Sequence, residues 1–254
     1  MTNYQARPDL LKDHIILITG AGGAIGSAAA KAFAAHGATT ILMGRSQGKL
    51  EKTYDAIVQQ GHPQPVLCPL NLEIASPQDY QTVVESIEAQ FGRLDGLLHA
   101  AAALGTLTPI ELYDLTLWSK IIQTNLNAPF LLTRACLGLL KKSAHASVIF
   151  NTDDVGRQGR AYWGAYGVAH AGLENLAMIL ADELEANTAI RVNTLCPGPV
   201  RSRLRALAYP GEDPNTLPDA ETLMPAYLYL MGPDSNGITG KCLNAADLGS
   251  QSLK

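Results

Sequence analysis

Seven short apolar runs recur along the chain, HIILITG, ATTILMG, PVLCPLNL, DGLLHAA, ASVIFNT, IRVNTLCP and KCLNA, with amphipathic helical stretches between them. Runs that are hydrophobic throughout need burial on both faces, and strands separated by helices pair in parallel through crossovers. The pattern therefore predicts an α/β fold, a doubly wound parallel sheet of about seven strands with helices on both faces. Ligands of such sheets sit beyond the carboxyl ends of the strands. Helix signals agree: Ser76-Pro77 followed by Asp79 reads as an N-cap, an N1 proline and a first-turn carboxylate for a helix running towards Gly92.

Nothing in the 254 residues marks a linker or repeat, so one domain spanning 1–254 is expected. With 47% apolar residues and a net charge of -4, the chain has no electrostatic reason to bind nucleic acid or an anionic membrane. No apolar stretch approaches the roughly 20 residues that span a bilayer. Cys68, Cys136, Cys196 and Cys242 form no close pair, and the N-terminus has no signal-like run, which predicts a reduced, cytoplasmic chain. His14, His36, His62 and His145 have no metal-ligand spacing, so no metal site is expected.

The first strand end carries Thr19-Gly20-Ala21-Gly22-Gly23-Ala24-Ile25-Gly26, followed by the helical SAAAKAFAAHG. Glycines at 20, 22, 23 and 26 permit a tight turn, a close approach of backbone to a diphosphate, and a helix N-terminus whose amides face that anion. Between a strand and a helix, this turn predicts dinucleotide binding. After the second strand stands Gly44-Arg45-Ser46, with no carboxylate for the 2'-hydroxyl of NAD(H). Arg45 suits a 2'-phosphate, which favours NADP(H) and leaves NAD(H) possible.

The order of these features resembles the short-chain dehydrogenase/reductase family over nearly the whole chain. TGAGGAIG matches its cofactor turn, Asn125 in QTNLNAPF its active-site asparagine, Tyr166 the tyrosine of its Tyr-x-x-x-Lys motif, and CPGPVRSRL its segment beside the nicotinamide. The stretch VGRQGRAYWGAY, with Met224-Pro225 and Leu230-Met231-Gly232, further resembles the YciK-type bacterial subgroup. The resemblance implies a Rossmann-type fold and carbonyl–alcohol chemistry on a small-molecule substrate. It also implies a homodimer or homotetramer paired through the helix bearing Gly164, Ala165, Gly167, Ala169, Ala171 and Gly172. Cofactor contacts carry over to Thr19, Gly20, Gly22, Gly23, Ile25 and Gly26; to Gly44, Arg45 and Ser46; to Asn71 and Leu72; to Ala100, Ala101 and Ala102; and to Pro197, Gly198, Val200 and Ser202. Tyr166 and His170 join them, and the catalytic set becomes Tyr166, Asn125, His170 and Asp153.

Four positions depart from the family pattern. His99-Ala100-Ala101-Ala102 replaces an Asn-Asn-Ala-Gly run, removing amides that steady the strand end, and Asn71 replaces an aspartate near the adenine. Asp153, thirteen residues before Tyr166, replaces the serine that donates to the substrate oxygen. An ionised aspartate cannot donate. Two remedies are expected: burial that keeps Asp153 protonated, or a shift of the strand end that presents Thr152. His170 replaces the lysine; one helical turn from Tyr166, it shares that face, and an Asp153–His170 ion pair is expected if the two come within reach.

Pro129, four residues after Asn125, deprives the carbonyl at 125 of its helical donor and predicts a kink in one long helix from about Leu115 to Lys141. The segment 203–218, rich in proline and charge, has no strand or long helical pattern and reads as a mobile substrate-covering loop. Two functional classes stay open. One is an NADP(H)-dependent oxidoreductase with an altered site; the other is a catalytically silent nucleotide-binding protein with an assembly or sensing role.

Overall fold

The structure, a computed structural model, describes residues 4–249. The ends of the expected domain span, residues 1–3 and 250–254, lie outside the described residues. In chain order the elements are β1 (Ile15–Thr19), α1 (Ala24–Ala35), β2 (Thr39–Gly44), α2 (Gln47–Gln59), β3 (Val66–Pro69), α3 (Pro77–Phe91), β4 (Gly96–His99), α4 (Leu115–Ile122), α5 (Ala128–Leu140), β5 (Ser147–Asn151), α6 (Asp154–Arg157), α7 (Gly164–Glu185), β6 (Arg191–Cys196), α8 (Arg203–Ala208), α9 (Met224–Met231) and β7 (Cys242–Asn244). Each of the seven apolar runs supplies one strand.

The strands form one sheet in the order β3-β2-β1-β4-β5-β6-β7, and every adjacent pair is parallel. The order reverses between β1 and β4, so the crossovers diverge there and open a crevice at the carboxyl ends. Alternate strand residues serve opposite faces. Ile16, Ile18, Leu42 and Leu98 pack with Phe33 of α1 and Tyr227 and Met231 of α9. Leu17, Met43, Leu97 and Phe150 pack with Tyr80 of α3, Leu132 of α5 and Leu173 of α7. Each fully buried side chain of this kind contributes roughly 1.5–3 kcal/mol relative to exposure. Among the described residues no helix is long and apolar enough to cross a membrane.

The cap reading of α3 holds. The Ser76 side chain accepts from the Asp79 amide, the Asp79 carboxylate accepts from the Ser76 amide at 2.8 Å, and Gly92 closes the helix with φ 74°. The single kinked helix expected from 115 to 141 is instead two helices joined by a π-helical turn over 123–127, closed by an Ala128 N–H bond to the Gln123 carbonyl. The physical cause is the missing N–H of Pro129: one turn widens by a residue rather than bending. The segment 203–218 also has more structure than expected. The Ser202 hydroxyl accepts from the Arg205 amide at 3.1 Å and caps α8. Beyond it, Arg205 pairs with both carboxylate oxygens of Glu212 at 2.6 and 2.7 Å, and Arg201 donates to the Pro214 carbonyl and pairs with Asp219. These contacts supply the order that composition does not reveal.

Candidate active site

A cleft of about 1100 Å³ runs along the carboxyl ends of the strands, from the glycine turn after β1 past the end of β4 to α7 and α8. Of the residues selected from the sequence, all but Thr19 and Asn125 line it. Thr19 lies just beneath, its hydroxyl accepting from the Ala100 and Ala101 amides at 3.2 Å each. Asn125, presented by the π turn, clamps Ala103 from behind: its Oδ1 accepts from the Ala103 amide and its Nδ2 donates to the Ala103 carbonyl, both at 2.8 Å. Together they hold the loop after β4, a task that the missing side-chain amides at 99 and 100 would otherwise share.

The turn is packed so that only glycine fits at two of its positions. A Cβ at Gly26 would stand 2.3 Å from the Gly20 carbonyl oxygen. Gly20 has φ +68°, and a Cβ there would stand 2.7 Å from the Ala101 nitrogen. At the far end of the turn, Arg45 and Lys49 line the cleft, and neither side chain makes a hydrogen bond or ion pair with the described residues. Lys49 was not singled out from the sequence, although its spacing of four from Arg45 was visible.

At the opposite end, Tyr166 is only 4% exposed and its hydroxyl donates to Asp153 Oδ2 at 3.2 Å. The other oxygen of Asp153 accepts from the Val155 amide at 3.2 Å and caps α6. Burial, reinforced by the neighbouring Asp154 carboxyl, pushes Asp153 up from 3.8 to about 6; the bonds from Val155 and Tyr166 act the other way. Burial and then the charge of Asp153 hold Tyr166 well above the usual tyrosine range. Asp154 pairs at 2.7 Å with Arg160 at the surface. Neither residue was selected from the sequence.

His170 is buried with its ring centroid 4.2 Å from that of Tyr166, and neither ring nitrogen has a partner among the described residues. Burial pushes it down to about 4, so it is neutral at pH 7. The Asp153–His170 ion pair expected from the sequence is therefore absent. Helical spacing lays the imidazole against the Tyr166 ring, whereas Asp153 turns to the Tyr166 hydroxyl and the start of α6. The Thr152 remedy is not taken up either: Thr152 borders the cleft, but its hydroxyl donates to Glu174 Oε1 at 3.1 Å.

His99 steadies the end of β4 in another way. Its Nε2 bonds the Thr133 hydroxyl at 2.8 Å, its ring stacks on Phe150 at 4.8 Å, and burial pushes it down to about 3. Lowered folded-state values mean that His99 and His170 add stability that is complete above their ordinary 6.5 and is lost as pH falls towards 4 and then 3. Asp153, raised to about 6, acts in the opposite sense between roughly pH 4 and 6 and offsets part of this loss. Two histidines outweigh one aspartate, so the thermal midpoint is expected to fall by several degrees as pH is lowered from about 6.5 to 4, and less in His99→Gln. Circular dichroism melts across that range check it.

The short chain dehydrogenase family matches residues 14–213. The uncharacterized oxidoreductase YciK of Escherichia coli K12 is 42% identical over 243 residues, 96% of each chain. Among solved structures, a Pseudomonas syringae protein assigned to the short chain dehydrogenases is 51% identical with a TM-score of 0.95, covering 96% of this chain and 99% of its own. A Shigella flexneri protein of the same assignment, complexed with NADP, is 41% identical with a TM-score of 0.92, covering 94% of this chain and 100% of its own. The chain belongs to the short-chain dehydrogenase family of oxidoreductases and is similar to its YciK-type members.

Proposed function

We propose that the chain is an NADP(H)-dependent oxidoreductase that interconverts a carbonyl and an alcohol, with Tyr166 exchanging the proton. The observation that carries this reading is the placement of the Tyr166 hydroxyl, bonded to Asp153, in the same cleft as the glycine turn. The residues fit the cofactor. Glycine at 20 and 26 lets the turn pack closely on itself and on Ala101 so that main chain borders the cleft where a diphosphate would lie, and His170 lines the same cleft. Arg45 and Lys49 supply two free cations for a 2'-phosphate, and the Shigella relative holds NADP.

When bound, the nicotinamide supplies or accepts hydride at its C4. In the reducing direction the Tyr166 O–H turns from Asp153 to the substrate oxygen and donates to it as negative charge develops there. Asp153 serves as the second donor in its protonated form, about a tenth of the population at pH 7 for a carboxyl titrating near 6. Reduction is therefore expected to speed up as pH falls towards 6. Leu104, Val155 and Ala208, with Trp163, Leu204 and Tyr209, build an apolar wall beside Tyr166, which fits α8 and the segment to 218 as a cover over the substrate. Assembly into a dimer or tetramer through α7 is part of the same reading, supported by Val168, Met178 and Ile179, each at least 43% exposed.

Titration of the purified protein with NADPH and NADH by fluorescence, followed by a carbonyl panel, tests the proposal. Arg45→Ala is expected to weaken NADPH binding about tenfold and to leave NADH unchanged, since a charge-assisted bond contributes about 1.5–3 kcal/mol. Unchanged NADPH affinity and preference would contradict the cofactor assignment. The uncharged, unpartnered His170 favours the silent nucleotide-binding protein as the second reading, which tight NADPH binding without turnover would support.

A further inference from the structure

The proposed mechanism needs Tyr166 and Asp153 side by side, yet they stand on different elements: Tyr166 in the first turn of α7, Asp153 at the N-cap of α6, just after β5. Their 3.2 Å bond therefore depends on how the β5–α6 junction is fixed to α7. About two turns beyond Tyr166 on the same helix stands Glu174, only 8% exposed. Its Oε1 accepts from the Thr152 hydroxyl at 3.1 Å and from Arg157 Nε at 2.7 Å. Thr152 precedes Asp153 and Arg157 ends α6, so one carboxylate oxygen grips the chain on both sides of Asp153. Arg157 continues to β7, donating to Asn244 Oδ1 at 2.6 Å and to the Leu243 carbonyl at 3.4 Å. The clamp closes on a close-fitting seat. A Cβ at Gly156 of α6 would stand 2.8 Å from the backbone of His170 and Ala171, and one at Gly167 of α7 would stand 3.3 Å from the Val155 carbonyl oxygen.

We propose that Glu174 is a positioning residue for the reaction: through Thr152 and Arg157 it holds Asp153 against the helix that carries Tyr166, and so sets the geometry of the donor pair. The proposal rests on the oxidoreductase reading above. Holding two elements together does not by itself call for such a bridge. Desolvating a carboxylate and a guanidinium offsets much of their attraction, and well-packed apolar side chains join elements about as firmly. What the bridge adds is direction, because two bonds converging on one atom fix where the junction lies along α7 and how it is turned. Direction matters at this place. The Tyr166 hydroxyl and the Asp153 carboxyl must both point at one substrate oxygen, and a misplacement of about 1 Å can lower a rate about 10²-fold. Glu174 exerts this effect through its two partners and does not touch the substrate.

Three variants separate positioning from stability. Glu174→Leu removes the shared acceptor, Thr152→Val removes one donor with little change of shape and none of charge, and Glu174→Gln keeps an oxygen that accepts from both partners. For each, kcat of carbonyl reduction and NADPH affinity are measured well below the thermal midpoint. The expected kcat is about 10²-fold lower in Glu174→Leu, about tenfold lower in Thr152→Val and within about threefold of wild type in Glu174→Gln, with NADPH affinity within about twofold throughout. A merely structural bridge would lower the thermal midpoint and leave kcat of the folded protein in place. A kcat unchanged in Thr152→Val, or as low in Glu174→Gln as in Glu174→Leu, overturns the proposal; Thr152→Val and Glu174→Gln decide the matter even if Glu174→Leu does not fold. A second readout needs no turnover. The Asp153 carboxyl ¹³C resonance, assigned by its loss in Asp153→Asn, is followed against pH. Burial is the main cause of its raised value, so a loosened junction that admits water should move its midpoint lower in Thr152→Val. The titratable groups around it, Asp154 of α6, Tyr166 of α7, Cys196 of β6 and Arg205 of α8, are the same in both proteins. A wild type that reduces no carbonyl while this midpoint still moves overturns the oxidoreductase reading and leaves the clamp standing, whereas an unmoved midpoint and unchanged kcat in an active enzyme overturn the clamp alone.

Discussion

Tyr166→Phe is expected to lower turnover by about 10²- to 10⁴-fold, the usual contribution of a positioned general acid, while NADPH affinity stays within about twofold of wild type. The substitution keeps the ring. Its contacts with His170 at 4.2 Å and Trp163 at 5.5 Å therefore survive, and the apolar wall it shares with Val155 and Ala208 remains packed. What is lost is one hydroxyl, and with it a donor to the half-buried Asp153. An acceptor stripped of a partner costs about 1–3 kcal/mol, so a modest fall in thermal stability accompanies the loss of activity. Asp153 should also become harder to ionise, because the Tyr166 bond lowers its value. Steady-state kinetics and fluorescence titration of the same preparation separate the two effects. Retained turnover would mean that another group delivers the proton and would remove Tyr166 from the mechanism.

The second large effect belongs to the glycine turn. Gly26→Ala is expected to weaken NADPH binding by more than about 100-fold and to destabilise the protein by roughly 1–3 kcal/mol, the cost of inserting a carbon into packed backbone. The added Cβ would stand 2.3 Å from the Gly20 carbonyl oxygen and 2.7 Å from its carbon, with only main chain to displace. Moving Gly20 shifts the loop that lies against Ala101, and so the surface that approaches the diphosphate. Gly48→Ala is the control: at the start of α2 its Cβ would meet nothing within 4 Å, and the substitution should be neutral or add about 0.4–1 kcal/mol. Equal behaviour of the two variants in thermal melts and NADPH titration would show that the turn does not have the proposed role.

Much of this architecture was legible because it depends on local pattern. Strands buried on both faces must be apolar at every position, so all seven could be located; the Ser76–Asp79 box is written in four residues; and a glycine turn between a strand and a helix has few uses. The misreadings arose where one residue's effect depends on three-dimensional partners. Pro129 announces a lost hydrogen bond but not whether the helix bends or widens, and here it widens into a π turn. Ser202 is a visible N-cap for α8, yet the turn after it is ordered by Arg205 with Glu212 and by Arg201 with Pro214, pairings that no periodicity displays. The Asp153–His170 pair was inferred from a shared helix face with Tyr166. Spacing does place His170 beside Tyr166, but Asp153 comes from a different element and its rotamer is set by the start of α6. Lys49 went unselected although its spacing of four from Arg45 was visible, because only the fold shows that both line one cleft.

The most direct test of the account follows hydride and proton together. Purified protein is mixed with NADPH deuterated at the transferring C4 position and a panel of ketones and aldehydes near pH 6 and near pH 8, alongside Tyr166→Phe. The account predicts deuterium at the carbinol carbon of at least one product, faster formation near pH 6 than near pH 8, and loss of product in the variant. NADPH bound tightly with no deuterium transferred to any carbonyl, or transfer undiminished in Tyr166→Phe, would contradict it.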